Sequence, residues 1–109
     1  MTSDHTFQER IQEIVDRIVR QFSPERIILF GSRARGGCGP DSDVDLLIVM
    51  SVKGSRRRVS LAIRKVLHGI PVPKDIIVTT PEDFECRKEI PGTIERPAAQ
   101  EGMVLYART

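Results

Sequence analysis

The sequence holds only two cysteines, Cys38 and Cys86. Two cysteines cannot build the multi-bridge framework of a small secreted scaffold. Together with His5 and His68 they also lack the spacing of a zinc site. Long apolar runs are missing as well. No stretch approaches the roughly 20 residues of a membrane-spanning helix, and residues 1–7 are polar, without the apolar core of an export signal. The expectation is a cytoplasmic protein with no membrane segment. A dominant charge is absent too: 17 Lys and Arg oppose 15 Asp and Glu, leaving a net charge of +2. That is too near zero to argue for a nucleic-acid partner. Repeats, low-complexity tracts and linkers are not found, and 39% hydrophobic with 29% charged residues is ordinary globular composition. A length of 109 residues suits a single domain over 1–109, with about two-thirds of its unfolded surface buried around one modest core.

What is present is a clear order of elements. Thr6 and Glu9 have the spacing of a capping box, which predicts a helix over 6–22. Phe7, Ile11, Ile14, Val15, Ile18, Val19 and Phe22 recur at steps of three and four, with Glu13, Arg17 and Arg20 on the other side. Ser23-Pro24 ends this helix. Residues 26–30 read as a buried strand, and 43–50 as a second. Between them, 31–42 contains four glycines and a proline and reads as a loop. A turn at 51–54 leads to a helix over 55–68, whose apolar stripe is Val59, Ala62, Ile63, Val66 and Leu67, stopped at Gly69. Pro71 and Pro73 carry the chain in extended form to a third strand, 75–79. A short helix over 81–88 has proline in its first turn. A second short helix, 93–100, contains Pro97, and a last strand covers 103–106. The fold class is α/β (α+β): a small mixed β-sheet of about four strands flanked by helices.

The chemistry gathers around two of these strands. Asp43 and Asp45, two apart in a strand, project to one face. Two carboxylates so placed repel, and a divalent cation relieves that cost. Oxygen-only donors favour Mg²⁺, with Mn²⁺ as an alternative. Asp75 opens an apolar strand as Asp43 does, so it is the candidate third carboxylate of a two-metal site and the candidate base for an attacking hydroxyl. Gly31 ends the first strand, where a phosphate can approach a backbone without a Cβ. Ser32 adds a hydroxyl and an N–H, and Arg33 and Arg35 add positive charge, completing a candidate triphosphate cradle.

The run Phe30-Gly31-Ser32-Arg33-Ala34-Arg35-Gly36, followed by Ser42-Asp43-Val44-Asp45-Leu46, resembles the signature of the DNA polymerase beta nucleotidyltransferase superfamily. Specifically, it looks like the minimal nucleotidyltransferases that pair, as antitoxins, with HEPN-domain toxins. Asp75-Ile76-Ile77-Val78 and the ending Glu101-Gly102-Met103-Val104-Leu105-Tyr106 fit the same resemblance. It implies that Asp43, Asp45 and Asp75 bind two Mg²⁺ ions and that Ser32 contacts the triphosphate of ATP. It also implies AMP transfer to a protein hydroxyl, reported as a tyrosine in this branch, on a HEPN-domain protein encoded nearby, and a hetero-oligomer with that partner. The expectation is a chain without the additional domains that polymerases and aminoglycoside nucleotidyltransferases use to hold their acceptors, which favours an acceptor brought by a partner.

Other readings of the same residues are weaker. Asp41, Asp43 and Asp45 begin like a calcium loop, but Leu46 and Val52 stand where an EF-hand needs glycine and glutamate. Gly31 and Gly36 begin like a P-loop, but Gly37-Cys38 stands where Lys-Ser/Thr must be. Arg56, Arg57 and Arg58 read as a solvated first turn, although basic residues are slightly unfavourable there. A non-catalytic nucleotide-binding module that regulates its partner by contact is the alternative function class, and transfer to RNA or a small molecule rests on the arginine run alone.

Overall fold

The computed structural model describes residues 3–31 and 44–108, with side chains described from Gln8 onward. The amphipathic stripe forms helix α1 (Ser3–Phe22). Ile11, Ile14, Val15 and Ile18 are buried along it, and Val19 and Phe22 pack against the same core. The helix starts before the capping-box position, so Thr6 lies inside it. No proline or glycine between Ser3 and Thr6 interrupts the preceding turn. At the other end Ser23 adopts φ 48° and its N–H donates to the Val19 carbonyl at 3.1 Å, before Pro24 prevents continuation.

The remaining elements are β1 (Arg26–Phe30), β2 (Val44–Val49), α2 (Arg56–Val66), β3 (Lys74–Thr79), α3 (Pro81–Arg87), α4 (Glu95–Glu101) and β4 (Met103–Ala107). The sheet order is β3-β2-β1-β4. β1 is antiparallel to both neighbours, and β2 and β3 are parallel. A parallel pair needs a crossover, which α2 supplies. β1, β2 and β3 are apolar on both faces because both faces are covered, whereas β4 is an exposed edge strand. Ile27, Leu29, Val44, Leu46, Ile48, Ile76 and Val78 pack with α1 and α2, while Ile28, Phe30, Leu47 and Val49 meet Phe84 of α3 and Ala98 of α4. Each such buried side chain contributes roughly 1.5–3 kcal/mol. Among the described residues no helix is long and apolar enough to cross a membrane.

Local chemistry sets the ends of the shorter helices. Ser55 is extended and its Oγ accepts the Arg58 N–H at 3.3 Å, capping α2. Thr93 stays outside α4, its hydroxyl accepting the Arg96 N–H at 3.3 Å, so the helix begins two residues later than the sequence predicts. Pro97 then falls at the third helical position, where an N–H would have no intrahelical acceptor. The loop from α2 to β3 is held by cations. Arg17 Nη1 donates to the carbonyls of Val66 and His68 (3.0 and 3.2 Å), and Arg10 Nη1 to that of Pro71 (3.3 Å). Lys74 Nζ donates to Ile70 and Val72 at 3.0 Å each. Burial, helped by the Arg17 charge, lowers the Lys74 pKa.

One buried polar pair ties α4 to the sheet. Thr79 Oγ1 donates to Glu95 Oε2 at 2.8 Å, and both residues are buried. Thr79→Val keeps the shape and removes the donor, leaving a buried carboxylate short of a partner. Chemical denaturation should read a loss of about 1–3 kcal/mol.

Candidate active site

Three strand ends meet at one edge of the sheet: the end of β1 and the beginnings of β2 and β3. Phe30 is the register partner of Asp45, and Asp45 is that of Asp75. Directly opposed residues on parallel strands share a face. Asp45 and Asp75 therefore project together on the side of Leu47, Val49 and Ile77, the side that α3 and α4 cover farther along. The two carboxylates that the sequence placed on separate strands are brought side by side.

Gly31 shapes the space next to them. It adopts φ +82°, a region that L-residues rarely enter. A Cβ built on Gly31 would collide with Oδ2 of Asp45. The glycine thus serves both the turn and the close approach of a carboxylate to the backbone.

Asp75 has a cationic neighbour. Arg64 Nη2 of α2 donates to Asp75 Oδ1 at 2.9 Å, with both side chains about half exposed. One turn earlier, Ser60 Oγ donates to the Ile76 carbonyl at 3.1 Å and fixes α2 against β3. The sequence does not single out Arg64. Its only signal is an exposed cation on a crossover helix that must pack beside β3. Next to it, Arg64, His68, Lys74, Leu67, Ile70 and Val72 line an open cleft of about 330 Å³.

Asp43, Ser32, Arg33 and Arg35 lie outside the described residues. Among the described residues no third carboxylate, His or Cys joins Asp45 and Asp75. The pair nonetheless fits a hard divalent ion: the donors are oxygens only, they sit in register on one face, and Gly31 itself brings no Cβ against the Asp45 carboxylate.

Arg57 and Arg58 are exposed, as a solvated first turn would have them, but Arg56 is not merely solvated. Arg56 forms an ion pair with Asp83 of α3. That hydrogen bond, with the charges of Arg56 and Arg87, holds the Asp83 carboxyl below its ordinary 3.8. A lowered folded pKa means that the folded state binds fewer protons there, so the pair stabilises above the ordinary value and its contribution is lost as pH falls through the folded pKa. Arg56→Ala should therefore melt below the parent at neutral pH. The gap should close in acid, as paired thermal melts across pH would read.

Comparison with known proteins agrees with this architecture. The model of the nucleotidyltransferase domain family matches residues 11–99. The chain is 33% identical over 102 residues to the "putative protein adenylyltransferase" of Methanocaldococcus jannaschii, covering 91% of this chain and 97% of that protein. A crystal structure of a "putative nucleotidyltransferase" from Sulfolobus solfataricus superposes with a TM-score of 0.65 at 23% identity, over 92% of this chain and 79% of the other. A toxin-antitoxin structure with AMP-PNP superposes with a TM-score of 0.52 at 15% identity, over 89% and 73%. At these identities the two structures speak to the fold, which is the same small α+β arrangement.

Proposed function

Because the chain belongs to the nucleotidyltransferase domain family, we propose that it moves AMP from ATP onto a hydroxyl of a partner protein, in the cytoplasm and as a single domain over 1–109. The observation that carries this reading is the register pairing of Asp45 with Asp75 beside Gly31, at the shared end of three strands. The name of the Methanocaldococcus relative supports a protein acceptor. The toxin-antitoxin neighbour supports an adenine nucleotide and a toxin partner, which we take to be of the HEPN type.

In this mechanism Asp43, Asp45 and Asp75 hold two Mg²⁺ ions, or Mn²⁺ in their place. Gly31 and Ser32 present backbone to the triphosphate, and Arg33 and Arg35 balance its charge. Bound metal supplies charge neutralisation of the phosphates and a lower pKa for the attacking hydroxyl. The hydroxyl oxygen bonds to the α-phosphorus of ATP, the bond from that phosphorus to the bridging oxygen breaks, and pyrophosphate leaves. Asp75 accepts the hydroxyl proton. Arg64 donates to its Oδ1 and orients the carboxyl.

The test is incubation of the purified chain with MgATP and the protein encoded beside it, followed by mass measurement of that protein. A gain of one AMP is expected. Bound ATP and a stable complex without any mass gain would overturn transfer and favour regulation by contact.

A further inference from the structure

The crossover between the two paired aspartates is strongly one-signed. From Leu46 to Lys74 the sequence has no Asp or Glu, yet it carries Lys53, Arg56, Arg57, Arg58, Arg64, Lys65 and Lys74. Three of these cations are committed: Arg56 to Asp83, Arg64 to Asp75, and Lys74 to two carbonyls. Arg57, Arg58 and Lys65 are exposed, and among the described residues no carboxylate pairs with them.

Their placement is ordered. Arg57, Leu61 and Arg64 follow at steps of four and three, so they form one stripe on the outside of α2, flanked by Arg58 and Lys65. Leu61, in the middle, is 49% exposed. The stripe ends at Arg64, which both touches Asp75 and lines the open cleft. Leu67, Ile70 and Val72 form the buried floor of that cleft, and Lys74 and His68 stand at its sides. A cationic helix face with an apolar centre thus runs directly to the proposed catalytic carboxylate.

We propose that this face docks the acceptor: a polypeptide segment rich in Asp and Glu, with an apolar side chain seated at Leu61, lying along α2 so that its hydroxyl reaches Asp75. This rests on the protein-acceptor reading above. Charge complementarity selects an acidic occupant. The apolar centre selects polypeptide over RNA, because single-stranded RNA is gripped largely by stacking on aromatics, and the stripe itself carries none, His68 in the cleft being the one aromatic ring among these residues.

The experiment presents the full chain to an array of short synthetic peptides, each with a central tyrosine and graded from acidic to basic, and in parallel to a poly(U) oligonucleotide. Binding should rise with Asp and Glu content, be strongest where leucine accompanies the acids, and weaken with salt. The triple variant Arg57→Glu, Arg58→Glu, Lys65→Glu should bind acidic peptides about tenfold or more weaker while binding ATP unchanged. Glutamates at positions 57 and 58 suit the start of a helix and offset the one at position 65 near its end, and a thermal melt of the variant beside the parent checks that the fold is kept. Leu61→Ser, which alters no charge, should weaken the leucine-bearing peptides selectively. Binding that ignores acidity, survives the triple variant, or is replaced by tight poly(U) binding overturns the proposal. Loss of AMP transfer with acidic-peptide binding intact counts against the catalytic reading alone. Intact transfer without acidic preference counts against docking alone.

Discussion

If the proposed mechanism holds, Asp45→Asn should lower AMP transfer by about 10³-fold or more and leave the melting temperature within a few degrees of the parent. The rate follows from charge. An amide has the shape of the carboxylate but one fewer negative charge, and metal-assisted phosphoryl transfer draws several kcal/mol of transition-state stabilisation from the ion that the carboxylate would hold in the proposed mechanism. At about 1.4 kcal/mol per tenfold, that loss is on the order of 10³. Stability follows from geometry. Asp45 lies in β2 between the buried Val44 and Leu46, paired on one side with Phe30 and on the other with Asp75. Asparagine leaves the ladder and the core untouched. Initial rates with MgATP and the partner protein, measured beside thermal melts, check both halves. A variant within tenfold of the parent rate would remove Asp45 from the chemistry, and a large drop in melting temperature would make its role structural.

Much of this arrangement is legible in one dimension because it depends on periodicity. The α1 stripe, the two-sided apolar strands and the crossover helix each announce their partners by spacing. Asp45 and Asp75 are legible for the same reason, since each stands at or near the start of an apolar strand. Arg64 is not legible. Its meeting with Asp75 depends on how α2 is pinned by Ser60 against the Ile76 carbonyl, and no local pattern encodes that. The same holds for Arg17, whose guanidinium reaches carbonyls at Val66 and His68 from another helix, and for Arg56 and Asp83. Long flexible cations find acceptors that only the assembled fold brings near. The capping box at Thr6 misleads for the opposite reason: a local motif is overridden when the chain before it is equally able to be helical.

Gly31 is where turn geometry and the proposed chemistry coincide, and a double-mutant cycle separates them. Gly31→Ala should cost about 2–4 kcal/mol. Some 1–2 kcal/mol comes from forcing an L-residue to φ +82°, and the remainder from packing a methyl group into the Asp45 carboxylate. Transfer should fall with it, because relief of the clash displaces Asp45. On an Asp45→Ala background Oδ2 and Cγ are gone, and the nearest remaining atom, the Cβ of residue 45, lies 3.6 Å from the added methyl, an ordinary contact. There Gly31→Ala should cost only the backbone share. Gly69→Ala gives the reference, since Gly69 has φ +96° with nothing within 4 Å of a built Cβ. The expected coupling between positions 31 and 45 is therefore about 1 kcal/mol or more, read from denaturant midpoints of the four proteins. Distant, independent sites add to within about 0.5 kcal/mol. An additive cycle would mean that the glycine is there for the turn alone, and that the carboxylate does not depend on it for its place.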